Sequence, residues 1–420
     1  MSSRRNFLKL SATAAGVAML PTVSDGQTQS VPEQIKQLKP MTDGIAPITE
    51  AERLDRIDKA QKLMTENGIG AIFIEPGTSS FYFTGMRTWI SERMIALIIP
   101  AKGELAWVCP KFEEDRMHEI IKFGKDIRTW EEDESPFKVV AGIFKDRSLQ
   151  SGKIGMEERV RFFLFDGLRN EASNFDYVSA VPVTAGCRMF KSPAELALMQ
   201  KANDITIVAY KATTTSLKVG MTPDEFAANC RSAFRALGVS GGADANFGKA
   251  SASSHGSLLP QKLTEGDVVL MDGGCSVEGY QSDISRTVVF GKPTQRQRDI
   301  WNLARKAQDA GFAAAKVGVP CEAVDAAARK VIVDYGFGPD HKVPGLPHRT
   351  GHGIGLDGHE WTYLVRGNKT PLQVGMCFSD EPTVSIPGEF GIRHEDCMYI
   401  TESGARFFTQ QSPSIDQPFL

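Results

Sequence analysis

The amino-acid sequence predicts an α/β domain followed by an α+β domain. Helix and strand signals alternate from about residue 48 to 185, and two pairs of helix signals separated by strand-rich stretches follow between residues 190 and 415. The composition agrees with this fold class, because 41% hydrophobic and 24% charged residues in a chain of 420 residues are typical of a globular protein large enough for two domains.

The first residues have the layout of a bacterial export signal. The pair Arg4-Arg5 is followed by a mildly apolar run over residues 10–21. This order is typical of a twin-arginine signal peptide, which we expect over residues 1–26, with cleavage near residues 24–26. A frayed basic N-terminus is the alternative. The signal predicts a protein that folds before export and works in the periplasm or outside the cell.

Charge and composition exclude several classes of partner. The formal net charge of -3 and the pI near 6.2 provide no basic surface for nucleic acid. Apart from the signal, no stretch approaches the roughly 18 consecutive apolar residues of a membrane span, so none is expected after signal removal. The seven cysteines include no CxxC pair, and we expect most of them to be small buried residues without disulfides.

The first domain is predicted over residues 48–185, after a polar linker over residues 27–47 that is expected to lack regular structure. The first predicted helix runs from about Thr49, and Gly68 ends it. The other predicted elements follow from apolar periodicity and turn residues: strands 69–74, 94–100, 104–109, 153–156 and 177–183, and helices 112–123 and 162–172.

The second domain is predicted over residues 190–415 and begins with a capping box. Ser192 and Glu195 cap a long helix that is expected to reach about residue 217. The same device recurs twice, at Thr222 with Glu225 and at Thr294 with Gln297. The two helix pairs and their strand-rich neighbours indicate an internally duplicated α+β layer.

Asp272 and Asp283 lie on the two arms of a predicted hairpin. Asp272 ends an apolar strand, and Asp283 lies near the start of the partner strand. Antiparallel pairing about Val277-Glu278 would bring the two carboxylates side by side. Like charges that close together destabilise a sheet unless a positive group lies between them, and a metal ion would meet that need.

The glycine-rich stretch over residues 351–360 contains His352 and, seven residues later, His359. Alone, this pattern is also typical of an ordinary tight turn. Its interpretation therefore depends on whether other residues of metal-ligating type converge on it.

Five residues of metal-ligating type are candidates for one site. Four carboxylates and one imidazole suit two hard or borderline divalent ions such as manganese, cobalt or zinc. The predicted set is Asp272, Asp283, His352, Glu381 and Glu395.

The spacing of these five residues resembles the dinuclear metal set of the aminopeptidase P and prolidase (Xaa-Pro peptidase) family. Eleven positions separate the aspartates, 29 separate His352 from Glu381, and 14 separate Glu381 from Glu395. The resemblance covers residues from about 48 to 415 and implies a creatinase-like N-terminal domain followed by a pita-bread catalytic domain. Asp272 would bind one metal and His352 with Glu381 the other, while the remaining two carboxylates would bridge the metals. Manganese is the first expectation, with cobalt, zinc or iron as alternatives.

The resemblance also implies substrate-binding residues. His255, His348 and His359 match the substrate histidines of the family, and Arg393 matches an arginine beside the last ligand. For His255 the alternative is an ordinary loop histidine, because the sequence around it is turn-like.

Other polar residues near these positions have more modest predicted roles. Asp267 and Asp380 are expected to support turns or ligands rather than to bind metal. Trp89 and Arg93 lie in a loop that, by the resemblance, would reach the pocket of a neighbouring subunit in a homodimer or higher homo-oligomer; exposed loop residues are an equal alternative.

The resemblance implies a metal-dependent exopeptidase that hydrolyses the bond between an N-terminal residue and proline. A hydroxide activated by two metals would attack the carbonyl, Glu381 would shuttle the proton, and His359 with His255 would stabilise the oxyanion. The sequence leaves open whether dipeptides or longer peptides are cleaved.

Two alternatives remain at this point. A hydrolase or lyase of the same fold would act on a small non-peptide molecule, because fold alone does not determine the substrate. A non-catalytic binding module of this fold is the second alternative, and the complete ligand set argues against it.

Overall fold

The computed structural model describes residues 31–254 and 256–419 of the chain. The predicted signal peptide over residues 1–26 and the first residues of the linker therefore lie outside the described residues. Of the linker, residues 31–47 are described, and they include a short helix, α1 (Glu33–Lys36), whose Ile35 is buried. The prediction that the linker lacks regular structure is wrong at this point, because Ile35 adds to the apolar core.

The N-terminal part of the chain forms an α/β domain in which helices cover both faces of one sheet. Its helices after α1 are α2 (Glu50–Asn67), α3 (Thr78–Thr84), α4 (Glu114–Ile120), α5 (Pro136–Asp146), α6 (Phe162–Glu171) and α7 (Val181–Arg188). Its strands are β1 (Ile69–Ile74), β2 (Ala96–Pro100), β3 (Ala106–Pro110), β4 (Asp126–Trp130), β5 (Gly152–Met156) and β6 (Phe175–Ser179).

Within the described residues the sheet has the order β4-β3-β2-β1-β5-β6 and is mixed, since β1 pairs antiparallel with β2 and parallel with β5. Both faces are apolar, as expected for a sheet covered on both sides. Phe73 packs in one buried cluster with residues of α5 and α6, and Ile72 packs in the other with Met64 of α2. Because successive side chains of a strand point to opposite faces, β1 contributes to both buried clusters.

Most predicted elements of this domain are confirmed, and two are not. Helix α2 begins after Thr49, whose side chain accepts from the Glu52 N–H, and it ends at Gly68 with φ 65°. The predicted strand over 177–183 is wrong beyond residue 179, because α7 begins at Val181 with a proline in its first turn. The predicted helix over 112–123 is reduced to a 3-10 turn followed by α4.

The C-terminal part of the chain is an α+β domain. Its helices are α8 (Pro193–Thr214), α9 (Pro223–Ala236), α10 (Gln295–Ala314) and α11 (Cys321–Asp334). Its strands are β7 (Ser240–Phe247), β8 (Val268–Val277), β9 (Tyr280–Gln281), β10 (Ile284–Val289), β11 (Gly351–Gly353), β12 (Glu360–Leu364), β13 (Cys377–Asp380), β14 (Thr383–Ile386), β15 (Phe390–Arg393), β16 (Asp396–Thr401) and β17 (Gly404–Phe407).

The three predicted capping boxes of this domain are confirmed. At each of α8, α9 and α10 the Ser or Thr side chain accepts from the backbone N–H of the third helical residue, and the side chain of that residue accepts from the backbone N–H of the cap. Among the described strands, one sheet contains β10-β8-β7 and another contains β12-β11-β13-β16-β17. A helix pair precedes each sheet, which agrees with the predicted duplicated layer.

All seven cysteines are buried and unpaired, as the sequence predicts. Among the described helices, none has the length and apolar character needed to cross a membrane.

Candidate functional site

The first two candidate ligands lie on the β8–β10 hairpin, with a register that differs from the prediction. Asp272 is opposite Ser285, and Val277 is opposite Tyr280, so the turn consists of Glu278 and Gly279 with φ 49° and 93°. Two positive φ angles in succession are the mark of a type I′ hairpin turn.

Asp272 therefore lies inside its strand rather than at its end, and Asp283 is not its direct partner. In the same register Asp283 is level with Gly274, two residues further along the strand. Because side chains alternate between faces, Asp272 and Asp283 share one face of the sheet as diagonal neighbours. The expected proximity of the two carboxylates is retained, but the directly opposite pairing that we predicted is wrong.

The other three candidates come from the second sheet. His352 is the central residue of β11, Glu381 follows β13, and Glu395 precedes β16. These three strands are neighbours in the sheet. A bridge between Ser285 and Glu395 joins this sheet to the hairpin, so the site forms where the two sheets meet.

The structure brings all five candidate ligands together. Three overlapping groups each have ligand atoms within 4.8 Å of one another. The groups are Asp283, His352 and His359; His352, Glu381 and Glu395; and Asp272, Asp283 and Glu395. His352 Nε2 lies 3.7 Å from Asp283 Oδ2 and 3.3 Å from Glu381 Oε1.

The environment of His352 directs one ring nitrogen into the site. Its Nδ1 lies 3.1 Å from the Gly353 carbonyl oxygen, which can only accept, so Nδ1 carries the proton. Burial, with the neighbouring His359 ring, lowers the pKa of His352 to about 3. The ring is therefore neutral at pH 7, with an unprotonated Nε2 facing the carboxylates, as a metal ligand requires.

Arg393 and Ser285 organise the carboxylates. Arg393 is buried, and its Nη2 lies 2.5 Å from Asp272 Oδ2 while its Nε donates to Ser285 Oγ at 2.8 Å. Ser285 Oγ also lies 2.8 Å from Asp272 Oδ1 and 2.5 Å from Glu395 Oε2. This arrangement ties both carboxylates to the one arginine, directly or through the serine.

The charge balance of the cluster favours additional cations. Burial, reinforced by the neighbouring carboxylates, raises the pKa of Asp283 and of Glu395 well above the usual range. Burial also raises the pKa of Glu381 to about 7. For Asp272 burial acts in the same direction, but the Arg393 charge and the hydrogen bond from Ser285 outweigh it and lower the pKa. One arginine thus neutralises the negative charge of the cluster only in part. The carboxylate oxygens and the one imidazole nitrogen of the cluster form a donor set that fits two divalent cations.

These shifts predict the pH dependence of the metal-free protein. The folded pKa of Glu381 is about 7 against an ordinary 4.5, so the folded state binds more protons than the unfolded state between these values. Its contribution to stability is complete below pH 4.5 and is lost as the pH rises through about 7. Because the lowered pKa of His352 acts in the opposite direction below pH 6.5, Glu381→Gln is the reference. We expect the Tm of the metal-free wild type, relative to that of metal-free Glu381→Gln, to fall over this window. Calorimetry of both chelated proteins checks this, and a relative wild-type Tm that rises from pH 5 to 7.5 would contradict it.

His359 stacks on His352, with ring centroids 3.7 Å apart, and is exposed. Arg349 Nη2 lies 3.2 Å from its Nδ1. Because a guanidinium can only donate, Nδ1 must accept, and a neutral His359 then carries its proton on Nε2. Nε2 is therefore the hydrogen-bond donor of this ring.

The remaining predicted substrate residues have mixed outcomes. His348 is half-buried, and its ring nitrogens lie 2.7 Å from the Arg349 carbonyl oxygen and 2.8 Å from Thr383 Oγ1. Arg393 contacts the carboxylate cluster itself. His255 lies outside the described residues.

The glycines beside His352 are explained by close backbone contacts. A Cβ on Gly351 would lie 2.0 Å from the Ser379 carbonyl oxygen, and one on Gly353 would lie 2.5 Å from that of Glu360. Both neighbours belong to adjacent strands, so the glycines allow the strands, rather than a ligand, to approach.

The residues with modest predicted roles lie outside the ligand set. Asp267 accepts from the Thr264 N–H and hydroxyl at 2.8 and 2.7 Å, which confirms it as a turn residue. Asp380 is fully buried, its carboxylate oxygens have no hydrogen-bond partner among the described residues, and burial raises its pKa well above the usual range. In the loop before β2, the exposed Trp89 ring lies beneath the guanidinium of Arg116 from α4, and Arg93 pairs with Glu132. The predicted role of Trp89 and Arg93 at a neighbouring subunit stays a prediction.

Two residues of the site were not predicted from the sequence. Ser285 is two positions from Asp283, and the period of two along a strand was the available signal for it. Arg349 is next to His348, but nothing in its local pattern indicates that its side chain contacts His359.

A cavity of about 270 Å³ opens beside His359 between the two domains. Glu158 and Arg159 of the N-terminal domain line it together with His359, Trp361 and Tyr363. Both domains therefore border this cavity, and His359 is the lining residue that also belongs to one of the three ligand groups.

An ion-pair network at the domain junction holds the segment that carries His359. Arg188 lies 2.6 Å from Asp357 and 2.5 Å from Glu360, and Lys191 lies 2.7 Å from Glu360. All four side chains are buried or nearly so, with at most 14% exposure. Because paired buried charges require defined geometry, the network restrains this segment against the N-terminal domain.

Comparisons with known proteins agree with this architecture. Residues 197–402 match the metallopeptidase family M24, and residues 56–190 match the creatinase/prolidase N-terminal domain. The chain is 35% identical to an uncharacterized peptidase of Schizosaccharomyces pombe, over 89% of this chain and 84% of that protein. It is 31% identical to an Xaa-Pro dipeptidase of Lactobacillus delbrueckii subsp. lactis, over 86% of this chain and 98% of that protein.

A solved structure shares the fold. The crystal structure of the dipeptidase PepE from Mycobacterium ulcerans is similar with a TM-score of 0.79 and 30% sequence identity. The similarity covers 87% of this chain and 98% of that one. The predicted fold class, a creatinase-like domain followed by a pita-bread catalytic domain, is confirmed.

Proposed function

Because the chain belongs to the metallopeptidase family M24 and is itself a metallopeptidase, we propose that it hydrolyses the bond between an N-terminal residue and proline. The observation that carries this proposal is the convergence of four carboxylates and one imidazole within a small volume beside a cavity. The similarity to an Xaa-Pro dipeptidase over nearly its whole length supports the choice of substrate.

Five residues are proposed to hold two divalent ions. Asp272 would bind one ion, His352 and Glu381 the other, and Asp283 and Glu395 would bridge them; the shared membership of these residues in three overlapping groups supports this division. Oxygen-rich sites with one imidazole suit manganese, with cobalt, zinc or iron as alternatives. When bound, such ions lower the pKa of a water molecule and polarise a carbonyl group.

The residues of the chain perform the proton transfers and hold the developing charge. The Glu381 carboxylate accepts a proton from the attacking water and passes it to the leaving nitrogen. His359 donates from Nε2 to the carbonyl oxygen as negative charge develops there. The nitrogen of proline in a peptide bond carries no proton, so it can leave only after this transfer.

The direct test offers the manganese-loaded protein three substrates: an Xaa-Pro dipeptide, an Xaa-Pro-Yaa tripeptide and an Xaa-Ala dipeptide, each with a chelated control. We expect cleavage of the Xaa-Pro bond, loss of activity on chelation, and slower cleavage of the alanine peptide. Release of proline or of the remaining peptide is measured by chromatography.

Each other outcome has a defined meaning. Cleavage of neither proline peptide would contradict the proposal and favour a small non-peptide substrate on the same fold. Failure to retain metal after reconstitution would favour a binding module without activity.

A further inference from the structure

The proposed bridging ligand Asp283 lies in a gap between two strands. Strand β9 ends at Gln281 and β10 begins at Ile284, so Ser282 and Asp283 belong to neither strand. Backbone N–H and C=O groups inside a protein need hydrogen-bond partners, and outside a strand the sheet ladder does not supply them. The backbone of Asp283 therefore has to be held by other groups.

One thiol supplies both partners. Cys397 Sγ accepts from the Asp283 N–H at 3.4 Å and donates to the Asp283 carbonyl oxygen at 3.1 Å. Among the described residues, these two contacts are the hydrogen bonds of the Asp283 backbone groups. A thiol is a weak donor and a weak acceptor, but Cys397 is fully buried, and burial shields both contacts from water. The thiol thus makes a two-point contact with the backbone of a proposed metal ligand.

The same segment of chain carries the second proposed bridging ligand. Glu395 lies two residues before Cys397, at the start of β16. Both side chains face the hairpin, because Glu395 Oε2 lies 2.5 Å from Ser285 Oγ while Cys397 contacts Asp283. Side chains two residues apart on an extended chain point to the same side, which accounts for this arrangement. One short segment therefore supplies one bridging carboxylate and holds the backbone of the other.

The residue before Asp283 is held from a different direction. Ser282 Oγ lies 2.8 Å from Thr206 Oγ1 of α8 and accepts from the Cys275 N–H at 2.9 Å. The Ser282 N–H donates to the Cys275 carbonyl oxygen at 3.0 Å. The side chains of Ser282, Thr206 and Cys275 are all buried. Helix α8 and β8 thus hold Ser282, and Cys397 of β16 holds Asp283.

We propose that Cys397 is a positioning residue that holds the Asp283 carboxylate beside that of Glu395 and so raises the affinity of the site for divalent ions. The thiol contacts the backbone of a ligand, so it acts through Asp283. Groups that orient metal ligands in this way typically contribute about 10- to 100-fold to metal affinity. This inference rests on the proposed function, since it concerns the metal site of the same reaction.

The test replaces Cys397 with Val, which keeps a side chain of similar size and removes both hydrogen bonds. We expect the dissociation constant for manganese, measured by competition with a chelating dye, to rise by about 10- to 100-fold. Cys397→Ser should bind manganese more tightly than Cys397→Val, because the hydroxyl retains one donor and one acceptor. If Cys397→Val does not fold, Cys397→Ala removes the same two bonds with a smaller side chain.

The matched control is Cys109→Val, which makes the same substitution at a fully buried cysteine on strand β3 of the other domain. It should leave the manganese dissociation constant at the wild-type value, and circular dichroism checks that each variant is folded. Electron paramagnetic resonance of the fully loaded proteins gives a second readout, because the spectrum of two manganese ions depends on how their ligands bridge them. We expect an altered spectrum in Cys397→Val and the wild-type spectrum in Cys109→Val.

Three outcomes would overturn the inference. They are a wild-type manganese affinity in folded Cys397→Val or Cys397→Ala, an equal loss of affinity in Cys109→Val, and an affinity of Cys397→Ser no better than that of Cys397→Val. In each case a wild-type protein that binds manganese and cleaves the Xaa-Pro bond leaves the proposed function intact. If the wild-type protein binds no manganese, the proposed function fails, and this inference fails with it.

Discussion

Replacement of Asp283 with Asn is expected to lower kcat/KM for an Xaa-Pro substrate by on the order of 10³-fold or more, at least the loss caused by removing one charge-stabilising group from an active site. Asp283 belongs to two of the three ligand groups, and its Oδ2 lies 3.7 Å from His352 Nε2. The amide is nearly isosteric but neutral, so the proposed bridge loses its charge. We expect the bound metal per chain, measured by elemental analysis, to fall together with activity.

The matched control is Asp299→Asn, an exposed position on α10 whose side chain accepts from Gln295. It makes the same chemical change in the same domain and should leave metal content and kcat/KM at wild-type values. Full activity and full metal content in the Asp283→Asn protein would remove Asp283 from the ligand set and contradict the dinuclear assignment.

Replacement of Arg286 with Met is expected to destabilise the protein by about 3–5 kcal/mol, the cost of leaving one member of a buried ion pair without its partner. Arg286 and Asp396 are each 1% exposed, and Arg286 Nη2 lies 2.6 Å from Asp396 Oδ1. The same guanidinium donates to the Glu395 carbonyl oxygen at 2.9 Å. The substitution leaves the buried Asp396 carboxylate without its ion-pair partner. It also removes a hydrogen bond to the backbone of Glu395, a proposed metal ligand.

Chemical denaturation of the metal-loaded and chelated proteins measures this loss. The double variant Arg286→Met with Asp396→Leu should recover part of it, because no unpaired charge then remains buried. Arg298→Met is the matched control: this arginine pairs with Asp416 at the surface and should change stability little. If Arg286→Met and Arg298→Met have equal free energies of unfolding, the buried pair does not contribute as argued.

The sequence determined the local elements because their signals are local. The capping boxes at Ser192, Thr222 and Thr294 each lie within four consecutive residues, and each begins a helix where the pattern predicts one. The failures also have local causes. At residues 181–183 an apolar run with a proline suits a strand or a first helical turn equally, and packing decided for the helix.

The hairpin illustrates the limit of register prediction. The sequence indicates two strands with a carboxylate on each, but the exact turn position determines which residues are paired. A shift of the turn from Val277-Glu278 to Glu278-Gly279 converts an opposite pair of aspartates into a diagonal one. Both arrangements bring the carboxylates together, which is why the predicted site survives the error.

The sequence by itself determined the ligand types, their spacing and the family, since these depend on residue identity and order. Export by a twin-arginine signal stays a prediction on the same basis. Tertiary structure alone decided that Ser285 and Arg393 hold the carboxylates, that Arg349 fixes the proton of His359, and that both domains line the cavity. The physical reason is that these contacts join segments far apart in the chain, and only packing of the two sheets and two domains brings them within hydrogen-bonding distance.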